Sequence, residues 1–231
     1  MLAFLIIVGL IAVALFLLFA QKSPRQKPRV DDSVNTTQPA TQAQQKGRQG
    51  EQIVIQHYAQ HFGAEYLLLN NCTFLDAANG STQIDHILLS PYGIFVIETK
   101  HYSGWIFGTK DDKRWTQRFA NQKTYTFQNP LLQNFKHISV IKSVLAEFVA
   151  GHCLHPVVVF TGRSEFKSEM PSNVCAGEAW VNYVKTFRTQ TMTKDEIQTI
   201  YRHLEQTALP KTAATEHFHI NNLKRKHGAT M

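Results

Sequence analysis

Three charged side chains, Asp85, Glu98 and Lys100, interrupt an otherwise apolar stretch that runs from residue 83 to residue 100. The rest of the stretch is rich in Ile, Leu, Val and Phe, and the Pro-Tyr-Gly turn at 91–93 predicts two neighbouring strands. A charged group in a buried strand is costly unless it is paired or binds a metal. Two carboxylates and one lysine in this setting therefore predict a functional site.

The chemistry open to these residues is metal-assisted phosphoryl transfer. Carboxylates on adjacent strands, Asp85 and Glu98, are ligands of the type that Mg²⁺ takes, with Mn²⁺ as a possible substitute. The carboxylate of Glu51 and the backbone carbonyl of Thr99 could complete the protein share of the coordination. The metal would polarise a phosphoryl oxygen and lower the pKa of a bound water. Lys100, on the Glu98 face of its strand, could orient that water or neutralise charge developing on phosphorus.

A helix predicted to start at Pro130 adds further polar groups. Gln133 and His137 are four residues apart and therefore neighbours on one helix face, with Lys136 beside them. We expect these three side chains to contact phosphate or water.

Each of these residues also has a purely structural interpretation. Glu51 falls in the first turn of a predicted helix, where the helix dipole favours a carboxylate. A lysine near a strand end is commonly a surface residue with a buried stem, and Glu98 and Lys100 could belong to an ion-pair network. The joint placement of the charges favours the functional interpretation over the structural one.

The overall charge suits a polyanionic partner. The formal net charge is +7 and the sequence pI is about 9.3, so nucleic acid or an anionic membrane surface would be attracted. Between residues 110 and 123, basic residues alternate with aromatic ones, as in segments that track a nucleic-acid backbone. The candidate binding residues are Lys113, Arg114, Arg118, Lys136 and His137. The alternative is a solvated hairpin with two core aromatics.

The predicted elements that position the site follow the order helix, strand, strand, strand, helix, strand. The first helix is expected over 47–62 and the first strand over 65–74, ahead of the two charged strands. The second helix is expected over 130–150 and a last apolar strand over 156–160. Both faces of the charged strands are apolar, which predicts an α/β fold with a sheet covered on both sides.

The ends of the chain differ from its middle in composition. Residues 2–20 form an uncharged apolar run, close to the roughly 20 residues needed to cross a bilayer, and basic residues follow it. By the positive-inside rule we expect a single-pass anchor in a bacterial inner membrane, with the C-terminal domain cytoplasmic. A cleaved signal peptide is the alternative. The expected divisions are a transmembrane helix at 1–21, a flexible linker at 22–45, the domain at 46–210 and a loose basic tail at 211–231.

The motifs, taken together, resemble those of the nuclease-related domain (NERD), a branch of the PD-(D/E)XK nuclease superfamily. The resemblance rests on Gly50-Glu51, Gln83 to His86, Gly93 to Lys100, Gly104 to Gly108, Trp115, Asn129-Pro130, Gln133-Asn134 and His137. It implies a restriction-endonuclease-like core, a central mixed sheet flanked by helices in αβββαβ order. It also implies that Glu51, Asp85, Glu98 and Lys100 match the superfamily's active-site positions, with Gln133 as the polar residue of the following helix. Ile84 replaces the nominal proline of the superfamily pattern.

Three functions are compatible with these observations. The first is a membrane-anchored, Mg²⁺-dependent nuclease that hydrolyses phosphodiester bonds in DNA processing. The second is a catalytically silent nucleic-acid-binding or signalling module at the membrane. The third is a membrane protein that scaffolds partners through the 130–150 helix. The intact set of acidic residues with Lys100 favours the first.

Overall fold

Two β-sheets and five helices form the part of the chain that the structure, a computed structural model, describes: residues 41–76, 80–148 and 154–228. The helices are α1 (Gln42–His61), α2 (Pro130–Val144), α3 (Ala179–Lys185), α4 (Lys194–Thr207) and α5 (Ala213–Gly228). The strands are β1 (Leu67–Leu75), β2 (Ser81–Ser90), β3 (Gly93–Lys100), β4 (Gly104–Phe107), β5 (Arg114–Arg118), β6 (Thr124–Gln128), β7 (Leu154–Phe160), β8 (Ser164–Phe166) and β9 (Val174–Ala176).

The larger sheet is mixed, with strand order β1-β2-β3-β7-β9. The pairs β1–β2 and β2–β3 are antiparallel, whereas β3 pairs with β7, and β7 with β9, in parallel. The predicted α/β architecture with a mixed sheet flanked by helices is confirmed. The smaller sheet has the order β6-β5-β4-β8, and its first three strands lie in the chain between β3 and α2.

Both faces of the larger sheet are covered, as the apolar character of β3 on both sides predicts. Ile94 and Val96 face a core that includes side chains of α2 and α4. Phe95 and Ile97 point the other way, into a core built with α1 and α3. All four are fully buried, and burial of each such side chain stabilises the fold by about 1.5–3 kcal/mol. Side-chain alternation along β3 therefore fixes which helix each residue meets.

Capping residues mark where the helices begin. Asn129 caps α2, with its side chain accepting from the backbone of Leu131 at 2.9 Å and Pro130 in the first turn. Thr193 begins α4 in a capping box with Glu196. The start of α2 is as predicted. A second capping box, Thr41 with Gln44, begins α1 five residues before the predicted start, within the segment expected to be linker.

The segment after Pro210, expected to be loose, instead forms helix α5 against β2. His219 Nδ1 lies 3.0 Å from Ser81 Oγ, and Asn222 Nδ2 donates to the same hydroxyl at 3.2 Å. All three side chains are buried. The helix is attached largely through polar contacts, so it lacks the apolar periodicity by which a docked helix is predicted from sequence.

The predicted transmembrane helix at 1–21 lies outside the described residues, as does most of the linker at 22–45. Over the ranges that are described, no helix is both long and apolar enough to cross a membrane.

One buried amide ties α2 to the larger sheet. Asn134 Nδ2 donates to the carbonyls of Val96 and Val157 at 2.9 and 2.8 Å, so a single side chain holds β3 and β7. Asn134→Leu would leave both buried carbonyls without this donor, at a cost of about 2 kcal/mol. We expect urea denaturation to show a lower midpoint with an unchanged slope. An unchanged midpoint would show that the two carbonyls have other partners.

Candidate active site

Asp85 and Glu98 lie on neighbouring strands of the larger sheet. His86 and Ile97 are partners in the antiparallel register of β2 and β3. One residue back along β2 and one residue forward along β3, Asp85 therefore lies opposite Glu98. The backbone N–H of Thr99 donates to Asp85 Oδ2 at 2.7 Å, which holds this carboxyl group against the end of β3. The two carboxylates predicted as metal ligands are therefore brought together.

Lys100 joins the same face, as strand alternation predicts. Its Nζ donates to Glu98 Oε1 at 2.5 Å and to Gln133 Oε1 at 3.0 Å. Burial alone would lower the pKa of Lys100, but the Glu98 carboxylate, with a further contribution from Asp85, raises it above its ordinary value. The ammonium group is therefore charged at neutral pH and is held in one position by two acceptors.

Glu98 is the most deeply buried member of the group, with 2% of its surface exposed. Its Oε1 accepts from Lys100, whereas its Oε2 has no hydrogen-bond partner among the described residues. His137 Nδ1 lies 3.4 Å from Oε2. A buried carboxylate oxygen without a donor is costly, so Glu98 Oε2 would gain from binding a cation or accepting from a donor.

His137 lies inside the site rather than on the surface. Burial lowers the pKa of its imidazole, and the Lys100 and Lys136 cations lower it further. The Glu98 carboxylate acts in the opposite direction. The ring is therefore neutral at pH 7 and cannot act as a cationic phosphate ligand there. Its predicted place next to Gln133 on one face of α2 is observed, and its neighbour is the carboxylate of Glu98.

The pKa of Asp85 is well above its usual range. Burial is the main cause, and the charge of Glu98 adds to it, with a smaller contribution from Glu51. The Thr99 N–H and the Lys100 ammonium act in the opposite direction without cancelling these effects. Two carboxylates in one partly dehydrated site repel each other, and a bound cation would relieve that repulsion.

Glu51, the third predicted carboxylate, is oriented by two residues that sequence reasoning missed. Asn71 Nδ2 donates to Glu51 Oε2 at 2.8 Å, and Asn71 Oδ1 accepts from Gln83 at 3.3 Å. Asn71 has a φ of +50° and stands opposite Asp85 in the β1–β2 register. Asparagine tolerates this left-handed conformation better than most residues. An Asn in a strand of mixed polarity gave no sequence signal of this role.

Gly50 allows α1 to approach the site closely. A Cβ atom at this position would lie 2.8 Å from His101 Cβ and 2.9 Å from Thr161 Oγ1, both shorter than real contacts of this kind. Glu51 is the next residue in the helix, so its distance from Asp85 depends on this close packing.

Gly50→Ala tests this dependence. Alanine favours the helix by up to about 1 kcal/mol, but the clash is expected to displace α1 and carry Glu51 away from the other carboxylates. We expect any activity of the site to fall by about 10-fold or more, as for a small misplacement of catalytic groups. Gly47→Ala is the matched control, because a Cβ atom there meets nothing within 4 Å. Equal activity of the two variants would contradict a positional role for α1.

Two clefts adjoin these residues. The larger has a volume of about 1050 Å³ and is lined by Thr99 and Lys100 from the site. The smaller, about 530 Å³, is lined by Glu51, Asn71 and Gln83. Gly47 lines both clefts, whereas Asp85 and Glu98 line neither.

The predicted nucleic-acid-binding residues lie elsewhere on the surface. Lys113, Arg114, Arg118 and Lys136 are exposed, and none of them lines either cleft. Arg114 contacts Thr126, and Arg118 contacts Gln122. Side chains alternate along β5, so Arg114 and Arg118 face away from Gln117, which lines the larger cleft. The cations lining that cleft, besides Lys100, are Lys46, Lys123 and Arg163.

The donor set fits a hard divalent cation held by few protein ligands. Among the described residues, no group of three or more His, Cys, Asp or Glu side chains is arranged to hold a metal ion. Mg²⁺ commonly uses only one or two carboxylates, together with waters and substrate phosphates. The close pair Asp85 and Glu98, with its unpartnered Glu98 oxygen, meets that smaller requirement.

Comparison with known proteins agrees with the motifs. The model of the nuclease-related domain, NERD, matches residues 46–161. An uncharacterized protein of Bacillus anthracis is 34% identical over 163 residues, which cover 68% of this chain and 74% of that protein. No solved structure matches the chain significantly. The match to the family model spans every residue of the candidate site, and the chain therefore belongs to the nuclease-related domain family.

Proposed function

We propose that this protein is a metal-dependent nuclease that hydrolyses phosphodiester bonds of nucleic acid, DNA in particular. The observation that carries the proposal is the carboxylate pair of half-buried Asp85 and buried Glu98, with Lys100 fixed beside it at the edge of a basic cleft. The order α1-β1-β2-β3-α2-β7, with β4 to β6 inserted, is the αβββαβ order of a restriction-endonuclease-like core. The family membership supports the same assignment.

Asp85 and Glu98 would hold the cofactor, Mg²⁺ or Mn²⁺, with Glu51 and the carbonyl of Thr99 as further oxygen donors. When bound, such a cation polarises a phosphoryl oxygen and makes a nearby water more acidic. A cation bound here would give the unpartnered Glu98 oxygen a partner. It would also offset the repulsion from Glu98 that contributes to the raised pKa of Asp85.

Lys100 and Gln133 act on the substrate side of the site. The Lys100 ammonium stays charged and is aimed by Glu98 and Gln133, so it can neutralise charge that develops on phosphorus without having to reorganise. Gln133 fixes the position of that ammonium. His137 packs against Glu98 as a neutral ring and so acts as a positioning residue.

The surroundings of the site extend the proposal. Residues 1–21 would anchor the protein in a bacterial inner membrane, with the domain in the cytoplasm. Lys113, Arg114, Arg118 and Lys136, exposed outside the clefts, are proposed contacts for nucleic acid that flanks the site.

One observation favours a second candidate, a catalytically silent nucleic-acid-binding or signalling module. Glu51, the third carboxylate, is engaged by Asn71, and this leaves a pair rather than a triad near the proposed metal position. Such a module would bind nucleic acid in EDTA with a steep salt dependence and would cleave none of it.

Cleavage by the full-length chain in mild detergent tests the proposal. Supercoiled plasmid, linear duplex, single-stranded DNA and RNA are each incubated with Mg²⁺, with Mn²⁺ or with EDTA. We expect cleavage of at least one substrate with either metal and none in EDTA. Absence of cleavage of every form, with binding retained, would favour the silent module.

A further inference from the structure

The larger cleft combines aromatic surface with positive charge from several separate elements. We propose that it binds an unpaired single strand of nucleic acid, with one base stacked on Tyr125 and the backbone held by Lys46, Lys123 and Arg163. This inference rests on the proposed function, since it names the form of substrate that the site beside Lys100 would receive.

Tyr125 is the first line of support. It is 56% exposed, unusually high for an aromatic residue in a strand, and it lines the cleft. Its ring meets that of Phe119 edge-on, with centroids 6.1 Å apart and planes at 84°. The neighbouring ring thus holds Tyr125 in place while leaving much of it open, an arrangement suited to stacking a base.

The position of Tyr125 follows from the alternation of the β5–β6 hairpin. In this hairpin Trp115 pairs with Phe127, and Gln117 with Tyr125. Trp115 is fully buried and Phe127 half-buried, in the core beneath the smaller sheet, whereas Gln117 and Tyr125 line the cleft. One face of the hairpin therefore packs into the core at Trp115 and Phe127 and lines the cleft at Gln117 and Tyr125.

The charge of the cleft is the second line of support. Lys46 comes from α1, Lys123 from the hairpin and Arg163 from the segment after β7, and all three are exposed. Lys100 lies among them at the site, and no Asp or Glu is found among the described residues that line this cleft. Three cations from distant parts of the sequence, with no opposing carboxylate, create a positive field along the path to Lys100.

Size and chemistry favour an unpaired strand over a duplex. A cleft of about 1050 Å³ is at the upper end of small-ligand sites, which span roughly 300–1,000 Å³, and so suits a few nucleotides. Bases inside a duplex are stacked on each other and offer no face to an aromatic side chain, whereas an unpaired base does. DNA and RNA strands share this chemistry.

Fluorescence anisotropy with the full-length chain in EDTA tests binding apart from cleavage. The probes are labelled oligothymidine, oligouridine and a hairpin duplex of equal nucleotide count. We expect both single strands, or one of them, to bind more tightly than the hairpin. Tyr125→Ala is expected to weaken single-strand binding by about 5- to 100-fold, whereas Tyr125→Phe retains most of it.

Charge variants test the backbone path. Lys123→Gln is expected to weaken binding to single strands and to lower the slope of log affinity against log salt by about 0.7. Arg202→Gln, an exposed cation on α4 outside the cleft lining, is the matched control and should change neither quantity.

The outcomes separate this inference from the proposed function. Preference for single strands that depends on Tyr125 supports the inference, even if no metal produces cleavage. Binding unchanged in Tyr125→Ala, equal affinity for the hairpin, or an effect of Arg202→Gln as large as that of Lys123→Gln would overturn it, even if the protein cleaves DNA.

Discussion

Asp85→Asn is expected to abolish cleavage, by about 10³-fold or more, while making the metal-free protein more stable at neutral pH. Asparagine keeps an oxygen to accept from the Thr99 N–H, so the geometry at the end of β3 is retained. The substitution removes one of two carboxylates that repel each other, and with it the charge proposed to hold the cation. Stability gained where activity is lost is typical of a functional site that holds strain.

The sign of the stability effect follows from the raised pKa of Asp85. Burial and the charge of Glu98 make the folded state hold this proton more tightly than the unfolded chain, whose Asp pKa is about 3.9. The stability that Asp85 contributes is therefore present below about pH 4 and is lost as pH rises through the folded-state pKa. The difference in stability between variant and wild type should grow over that range and then level off.

Thermal denaturation in EDTA from about pH 4 to 8 measures this difference. Asp111→Asn, which neutralises an exposed loop carboxylate, is the control and should follow the wild type at every pH. Added Mg²⁺ should raise the melting temperature of the wild type and not that of Asp85→Asn, because the variant lacks one of the two carboxylates proposed to hold the ion. A variant that is less stable throughout, or that still cleaves, would refute this role of Asp85.

Lys100→Met is expected to lower both the cleavage activity and the stability of the protein. The substitution keeps the length of the side chain and removes the cation that Glu98 and Gln133 hold. Glu98, 2% exposed, is then left as a buried carboxylate without its partner. Breaking a buried pair in this way costs about 3–5 kcal/mol. Cleavage should drop by about 10²-fold or more, since the charge aimed at the phosphoryl group is gone.

A double-mutant cycle measures the interaction between Glu98 and Lys100 separately from the effect of each substitution alone. Glu98→Gln added to Lys100→Met removes the stranded charge, so the double variant should recover stability relative to Lys100→Met without recovering cleavage. Chemical denaturation gives the stabilities, and a plasmid assay gives the activities. Additive losses would show that Glu98 and Lys100 do not interact in the way the distance of 2.5 Å indicates.

The centre of the site was predictable because it follows from two periodicities. Strand alternation placed Glu98 and Lys100 on one face, and helical spacing placed Gln133 and His137 together. Since α2 packs on that face of β3, the two pairs meet. The covering of the sheet on both sides followed from the apolar character of β3 in the same way, whereas its mixed topology was implied only by the resemblance to the nuclease-related domain.

The lining of the clefts was not predictable because it is assembled from separate elements. Lys46 and Arg163 are isolated in sequence, so no local pattern marks them as neighbours of Lys123. The basic run at 110–123 does form a pattern, but it divides: Arg114 and Arg118 fall on the outer face of the hairpin, whereas Lys123 lines the cleft. A one-residue change in strand register would have reversed that assignment.

Asp85 and Glu98 are proposed to form the metal site of a nuclease, and crystals soaked in Mn²⁺ test this assignment directly. In wild-type crystals we expect an anomalous difference peak between these two carboxylates, with their oxygen atoms as its nearest protein ligands. In crystals of Asp85→Asn we expect no such peak. A wild-type map without a peak there, or with Mn²⁺ bound only at other residues, would contradict the account.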